Sequence, residues 1–326
     1  MRTPRAARTA AAGVVLLGAV LAGCADPVER EARSPSSTAE STSEPSPEPS
    51  PEPSPEPSPQ DRAPGATLAP SPRGTGPEST DGTLDAAAYG AGSTPPRWLS
   101  ERELPERPDG YGVVRPTPPE LRRRAFTLRD TVPMLPGRGY ASRIVSPAPR
   151  RVVDRSTWEP GCPVARDQLA WLRLTFRGFD AERHTGEVLV NAAAVDDLDT
   201  VFRRLWEARF PMEQVVIVES IDEEAPPTGD GNGTGGFVCR AVTGGTSYSQ
   251  HAYGLAVDVN TFQNPYANDG LVVPERASAY LARDRVRPGM VTPDGPVVEA
   301  FADIGWEWGG DWTSLKDWQH FSANGR

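Results

Sequence analysis

The chain has only three histidines, His184, His251 and His320, and two of them sit in stretches that also carry carboxylates. In Ser249-Gln-His-Ala-Tyr-Gly-Leu-Ala-Val-Asp-Val-Asn260, His251 and Asp258 flank Gly254. Near the other end, Asp317-Trp-Gln-His320 supplies a further histidine and a further carboxylate. Imidazole nitrogens and a carboxylate oxygen are common zinc ligands, and catalytic sites use three protein ligands with the fourth position open. His251, Asp258 and His320 would make such a set, and a metal there would acidify water to near neutrality. Asp317 is then spare, and is placed to take a proton and pass it to a leaving amine. On chemistry alone the pattern reads two ways. It is a metal centre, or it is a pair of histidines satisfied within the fold beside carboxylates at a spacing that chance also produces.

A site of this kind needs elements to position it. Leu255–Asn260 alternates with period two, as a half-buried strand does. Leu255, Val257 and Val259 would face a core, and Ala256, Asp258 and Asn260 the other side. Gly254 permits a sharp bend that folds His251 back beside Asp258. Further strands are expected at the end of Leu169–Phe176, at Glu187–Val190 and at Val215–Val218. Asn191 would cap a helix running to about Arg209, because Val195, Leu198, Val201, Phe202, Leu205 and Trp206 recur at helical spacing, and Pro211 would end it. Residues 222–236, acidic and then glycine-rich, are expected to be a mobile loop. A short helix is expected from Pro296 to Ile304, and the Trp- and Gly-rich Gly305–Trp312 as a rim. Residues 151–326 thus read as an α+β domain with a mainly antiparallel sheet flanked by helices. Residues 96–150 show no sustained period; they are either disordered or an arm lying along the domain.

The first third of the chain reads differently. Arg2, Arg5 and Arg8 precede an apolar run from Ala10 to Ala22 that ends in Leu-Ala-Gly-Cys24. That is a secretory signal, residues 1–23, too short to span a membrane as a helix. Its ending resembles a bacterial lipobox, which implies cleavage before Cys24 and lipid on its sulfur; the alternative is an ordinary signal peptide that contains a cysteine. Residues 24–95 are rich in Pro, Ser, Thr, Glu and Gly, with Pro-Glu-Pro-Ser repeats. They are expected to be a disordered, extended tether with too little apolar surface to offset ordering entropy. In an exported protein the remaining cysteines, Cys162 and Cys239, read as a disulfide. Net charge is −10 and Lys316 is the one lysine. No basic stripe with interleaved aromatics exists, which disfavours nucleic acid as a partner. A monomer at the outer face of a bacterial membrane is the expectation.

Taken together, Ser249-x-His251-x2-Gly254-x-Ala256-x-Asp258 and Asp317-x2-His320 resemble the signature of the zinc D-alanyl-D-alanine carboxypeptidase family. Gly178-Phe-Asp180, His184-Thr-Gly-Glu187, Phe210-Pro211, Phe237-Val-Cys-Arg240, Asn264-Pro-Tyr266, Gly305–Trp312 and Gln319-His-Phe321 are similar to its VanY-like and L-alanyl-D-glutamate endopeptidase-like branch. The loop before Phe237 departs from the usual asparagine- and threonine-rich segment. The resemblance implies a Hedgehog/DD-peptidase-like fold, Zn2+ on His251, Asp258 and His320, and Asp317 as catalytic acid/base. It implies stem peptides of peptidoglycan as substrate. It also makes Arg240 a candidate to clamp a substrate carboxylate or polarise its carbonyl, the other reading being support for the fold beside Cys239. Ser249 is expected to orient a ligand or touch substrate, and His184 and Glu187 to be structural. Trp308 and Trp312 either line the cleft or pack. The rival from another class is a non-catalytic, zinc-containing wall-binding or regulatory module, which would have no need of Asp317.

Overall fold

The computed structural model describes residues 92–326, Glu224 excepted. The expected signal segment, Cys24 and the expected tether up to residue 91 lie outside the described residues. No helix among the described residues is long and apolar enough to cross a membrane.

The architecture is mixed α/β, with few helices and three small sheets whose strand pairs are all antiparallel. Helix α1 is the single turn Arg150–Val153. The first sheet joins β1 (Ser142–Val145), β2 (Leu169–Arg177) and β3 (Arg183–Asn191) in that order. Against it packs α2 (Val195–Glu207), whose buried residues Val195, Leu198, Val201, Phe202, Leu205 and Trp206 are the periodic set. Burying side chains of this size contributes about 1.5–3 kcal/mol each. The helix starts after Ala194 rather than at Asn191, because the Asn191 Oδ1 accepts the Ala193 N–H in the preceding turn and its backbone N–H is taken by Gly254. A single turn, α3 (Ser220–Glu223), and α4 (Pro296–Ala302) complete the helices.

The other two sheets carry the chemistry. One places β9 (His320–Ser322) between β4 (Ala256–Asp258) and β7 (Glu307–Trp308). The other places β5 (Tyr266–Asn268) between β6 (Leu271–Val273) and β8 (Lys316–Asp317). Val257 and Val259 are fully buried in the main core with Phe321, Phe301 and Trp306, and Leu255 packs against it. Asn260 is fully buried as well, so both faces of this stretch are covered.

Two expectations change, and an open alternative closes. Val215–Val218 forms no ladder strand: Val215 makes an isolated parallel bridge to Thr234. Residues 230–236 are not a loose loop, for Asp230, Asn232 and Thr234 are buried and the segment is hydrogen-bonded on both sides. Residues 96–150 lie along the domain. β1 pairs with β2, and Leu121 and Phe126 share a core with Phe262, Val272 and Tyr280.

Candidate metal centre

Register brings the two motifs together. β4 pairs with β9 so that Asp258 is directly opposite His320, and facing residues of an antiparallel pair share one side of the sheet. His251 comes from the 3-10 turn Gln250–Tyr253. Ser249 caps that turn, its Oγ accepting the His251 backbone N–H at 3.3 Å. The turn closes at Gly254, which is left-handed with φ +67° and lies so close to Asn191 that a Cβ would come within 2.5 Å of its nitrogen. Only glycine suits both demands, so the chain turns directly into β4.

Three ligand atoms result. His251 Nε2 stands 3.1 Å from His320 Nδ1 and 3.2 Å from Asp258 Oδ1, and His320 Nδ1 is 3.3 Å from the same oxygen. The remaining nitrogen of each imidazole is committed. His251 Nδ1 donates to the Gly236 carbonyl at 2.6 Å, and His320 Nε2 donates to the main-chain oxygen of Arg326 at 3.0 Å. Both oxygens only accept, so each ring has its proton on the outer nitrogen and, when neutral, turns a lone pair inward. Two imidazole lone pairs and a carboxylate then converge on one point, an arrangement that needs a cation or an added proton. Both histidines are almost fully buried. Atoms bound at 2.0–2.1 Å around a tetrahedral zinc stand about 3.3–3.4 Å from each other, close to the spacing found. The donor set and its dimensions therefore fit a zinc-like ion. Gln319 Nε2 approaches the other oxygen of Asp258 at 3.4 Å.

With no cation present, burial disfavours ionised Asp258, but the charges and hydrogen bonds of His251 and His320 outweigh it and hold the carboxyl well below the usual range. Burial opposes charge on His320 too, yet Asp258 and Asp317 raise its pKa. Asp317 behaves in the opposite way to Asp258. Burial, and then the charge of Asp258, push its carboxyl up to about 7. Its Oδ1 is buried without a hydrogen-bond partner. An orphaned carboxylate beside a cluster of ligand atoms can hold a proton near neutral pH.

A cleft of about 370 Å3 opens beside the trio, with His251, His320, Asp317, Arg240, Ser249 and Trp312 among its lining residues. Arg240 is half-buried there, its Nη1 donating to the Ala241 carbonyl at 3.2 Å. Cys239, next to it, is bonded to Cys162, and the Cys239 N–H donates to Thr157 Oγ1 at 2.8 Å. The chain leading into Arg240 is thereby fixed. A second cleft of about 760 Å3 reaches His251 and Asp258 from the side of Gly233–Gly236.

Not every expected residue is at the site. Trp308 is a core side chain, 4% exposed, stacked near Phe321 and donating Nε1 to the Trp318 carbonyl. It does not line the cleft. Trp312 does, its ring centroid 5.6 Å from that of His320. His184 lies between Asp130 (2.7 Å) and Asp180 (3.2 Å), and Glu187 accepts from Trp171 Nε1 at 2.6 Å, neither in the trio. The main-chain oxygens of Gly236 and Arg326 were not legible, because backbone acceptors leave no mark in residue types, and Gln319 entered only through Gln319-His-Phe321. Tyr266, directly across from Asp317 in the β5–β8 pair, was hinted at only through Asn264-Pro-Tyr266.

Residues 243–323 match the family model described as D-alanyl-D-alanine carboxypeptidase. The matched segment contains Ser249, all three ligand candidates and Asp317. The likeness to that peptidase family rests on this segment, 81 of the 326 residues. No curated protein and no solved structure gives a match to the chain.

Proposed function

We propose that this protein is a zinc-dependent peptidase that hydrolyses stem peptides of bacterial peptidoglycan. The observation that carries the reading is the inward convergence of His251 Nε2, Asp258 Oδ1 and His320 Nδ1 beside a buried, unpartnered Asp317 oxygen. His251, Asp258 and His320 would hold the ion. When bound, zinc supplies Lewis acidity, which lowers the pKa of water and polarises a carbonyl.

The chain's own residues do the rest. The Asp317 carboxylate accepts the proton lost by the attacking water and returns it to the amine that leaves. That carboxyl lines the same cleft as His251 and His320, with one oxygen left without a hydrogen-bond partner. Arg240, across the same cleft, offers a guanidinium suited to a terminal carboxylate or to the developing oxyanion. Ser249 holds the His251 turn, and Gly236 and Arg326 hold the two ring orientations.

The finer placement is part of the same proposal. It comprises a Hedgehog/DD-peptidase-like fold, the VanY-like or L-alanyl-D-glutamate endopeptidase-like branch, and a monomer anchored outside the cell membrane through lipid on Cys24. The support is the quoted sequence motifs. The test separates metal from chemistry. Asp317→Ala should retain zinc and lose hydrolysis, whereas His320→Ala should lose both. Equal hydrolysis by Asp317→Ala and the parent protein would sink the role given to Asp317.

A further inference from the structure

Arg124 lies in the N-terminal arm, far outside residues 243–323, yet its guanidinium is among the most enclosed charges described. Its side chain is 2% exposed and that of its partner Glu213 is 0% exposed. The pair is bidentate, with Arg124 Nε donating to Glu213 Oε2 at 2.8 Å and Nη2 to Oε1 at 2.7 Å. Nη1 donates to the Asp230 carbonyl at 2.6 Å. The guanidinium carbon sits 5.0 Å from the Phe126 ring centre and 4.6 Å from that of Phe262. Three N–H groups of the fork, one on each nitrogen, are on fixed acceptors and two rings lie near its carbon, an arrangement that lysine cannot reproduce.

From this pair, short hydrogen bonds lead to the metal centre. Glu213 Oε2 also accepts from Asn232 Nδ2 at 2.8 Å, and Asn232 Oδ1 accepts the Phe262 N–H at 2.9 Å. Asn260, just past Asp258, accepts the Glu213 N–H on its side chain and donates its own N–H to Thr234 Oγ1. Beyond Thr234, Gly235 exchanges both backbone hydrogen bonds with Asp258. Gly236 then presents the carbonyl that fixes the proton on His251. There is no slack at Gly236, where a Cβ would come within 2.7 Å of the Leu189 oxygen.

We propose that Arg124 is a positioning residue for the metal centre, acting through Glu213 and Asn232 on segment 230–236, which sets the Asp258 backbone and the His251 tautomer. The inference rests on the zinc reading above. It links the arm to the site: residues 243–323 alone would lack Gly235, Gly236 and Arg326, the partners of Asp258, His251 and His320, and would lack Arg124, which braces the first two through Glu213 and Asn232. Outer partners of metal ligands commonly matter 10- to 100-fold in metal affinity.

The test is zinc affinity by chelator competition on the full chain, with the melting temperature recorded for each variant. The variants are Arg124→Met, Arg124→Lys, Asn232→Ala and Leu198→Ala, the last a core change in α2. Arg124→Met and Asn232→Ala should weaken zinc binding about tenfold or more, with Arg124→Lys recovering little. Leu198→Ala should lower the melting temperature and leave zinc affinity unchanged. If Arg124→Met does not fold, Asn232→Ala decides, since it leaves the Arg124–Glu213 pair in place. Zinc affinity equal to that of the parent in the folded network variants overturns the inference. A parent protein that takes up no zinc overturns the centre itself, and this inference with it.

Discussion

His251 Nε2 and His320 Nδ1 stand 3.1 Å apart, while each ring's other nitrogen donates to a main-chain oxygen. Two neutral imidazoles fixed in this way cannot hydrogen-bond to each other, because both present lone pairs to the gap. Asp258 adds a carboxylate oxygen to the same gap. The gap calls for a cation or an added proton, and a cation bound there would influence stability as well as chemistry.

Zinc at a hundredfold excess over its Kd should therefore stabilise the folded chain by about 2.7 kcal/mol, seen as a rise in melting temperature that a chelator reverses. His320→Ala and Asp258→Ala should show no such rise. Asp317→Ala should keep it.

Removing the Asp317 carboxylate should lower kcat by about 10²- to 10⁴-fold, the usual worth of a positioned acid/base, with zinc content unchanged. Steady-state kinetics on a zinc-loaded preparation, with metal analysis of the same sample, checks both halves.

The metal-free protein should show a pH signature of Asp317. Its folded pKa is raised from 3.8 to about 7, by burial and then by Asp258. A raised acid favours the folded state while protonated, so its contribution is complete below about pH 4 and is lost as pH rises through about 7. Metal-free Asp317→Asn should lack that loss and melt higher than the parent at about pH 8. Asp258, shifted down, acts with the opposite sign and in acid only. Bound zinc, as a neighbouring positive charge, should move the Asp317 titration lower.

Arg240→Ala should raise KM for peptides with a free C-terminal carboxylate by about 10- to 100-fold, from the worth of a charge-assisted hydrogen bond. Peptides amidated at the C-terminus should be nearly indifferent to the change. An equal loss on both substrates would instead tie Arg240 to the oxyanion or to the fold.

The two tryptophans should separate. Trp308→Ala should cost about 3–5 kcal/mol of stability as a core truncation, because it packs on Phe321. Trp312→Ala should cost less and act mainly on KM. Denaturant melts and kinetics of the two variants give both readings.

Much of the centre was legible because its chemistry is scarce in this chain. With three histidines in the sequence, the pairing of His251–Asp258 with Asp317–His320 left few combinations. The bend at Gly254 and the alternation through Val259 also had direct physical signatures. What could not be read was long-range. The register that sets Asp258 against His320 joins strands of only a few residues, too short for a periodic pattern. The arm lacks a period because scattered anchors hold it: Leu121 and Phe126 in a core, and Arg124 in a pair whose partner is remote in sequence. Residues 230–236 read as mobile from their glycines, yet those glycines allow close backbone approach to Leu189 and Val216. Trp308 and Trp312 look alike in sequence and differ only in which side of a short turn they occupy.

The most direct measurement is mass spectrometry of peptidoglycan stem peptides after incubation with the zinc-loaded full chain. Loss of mass equal to a terminal residue, or to a fragment cut at one internal peptide bond, is expected, and Asp317→Ala should leave the peptides whole. Stem peptides that stay intact with a protein shown to carry one zinc on His251, Asp258 and His320 would contradict the assignment of this centre to peptide hydrolysis.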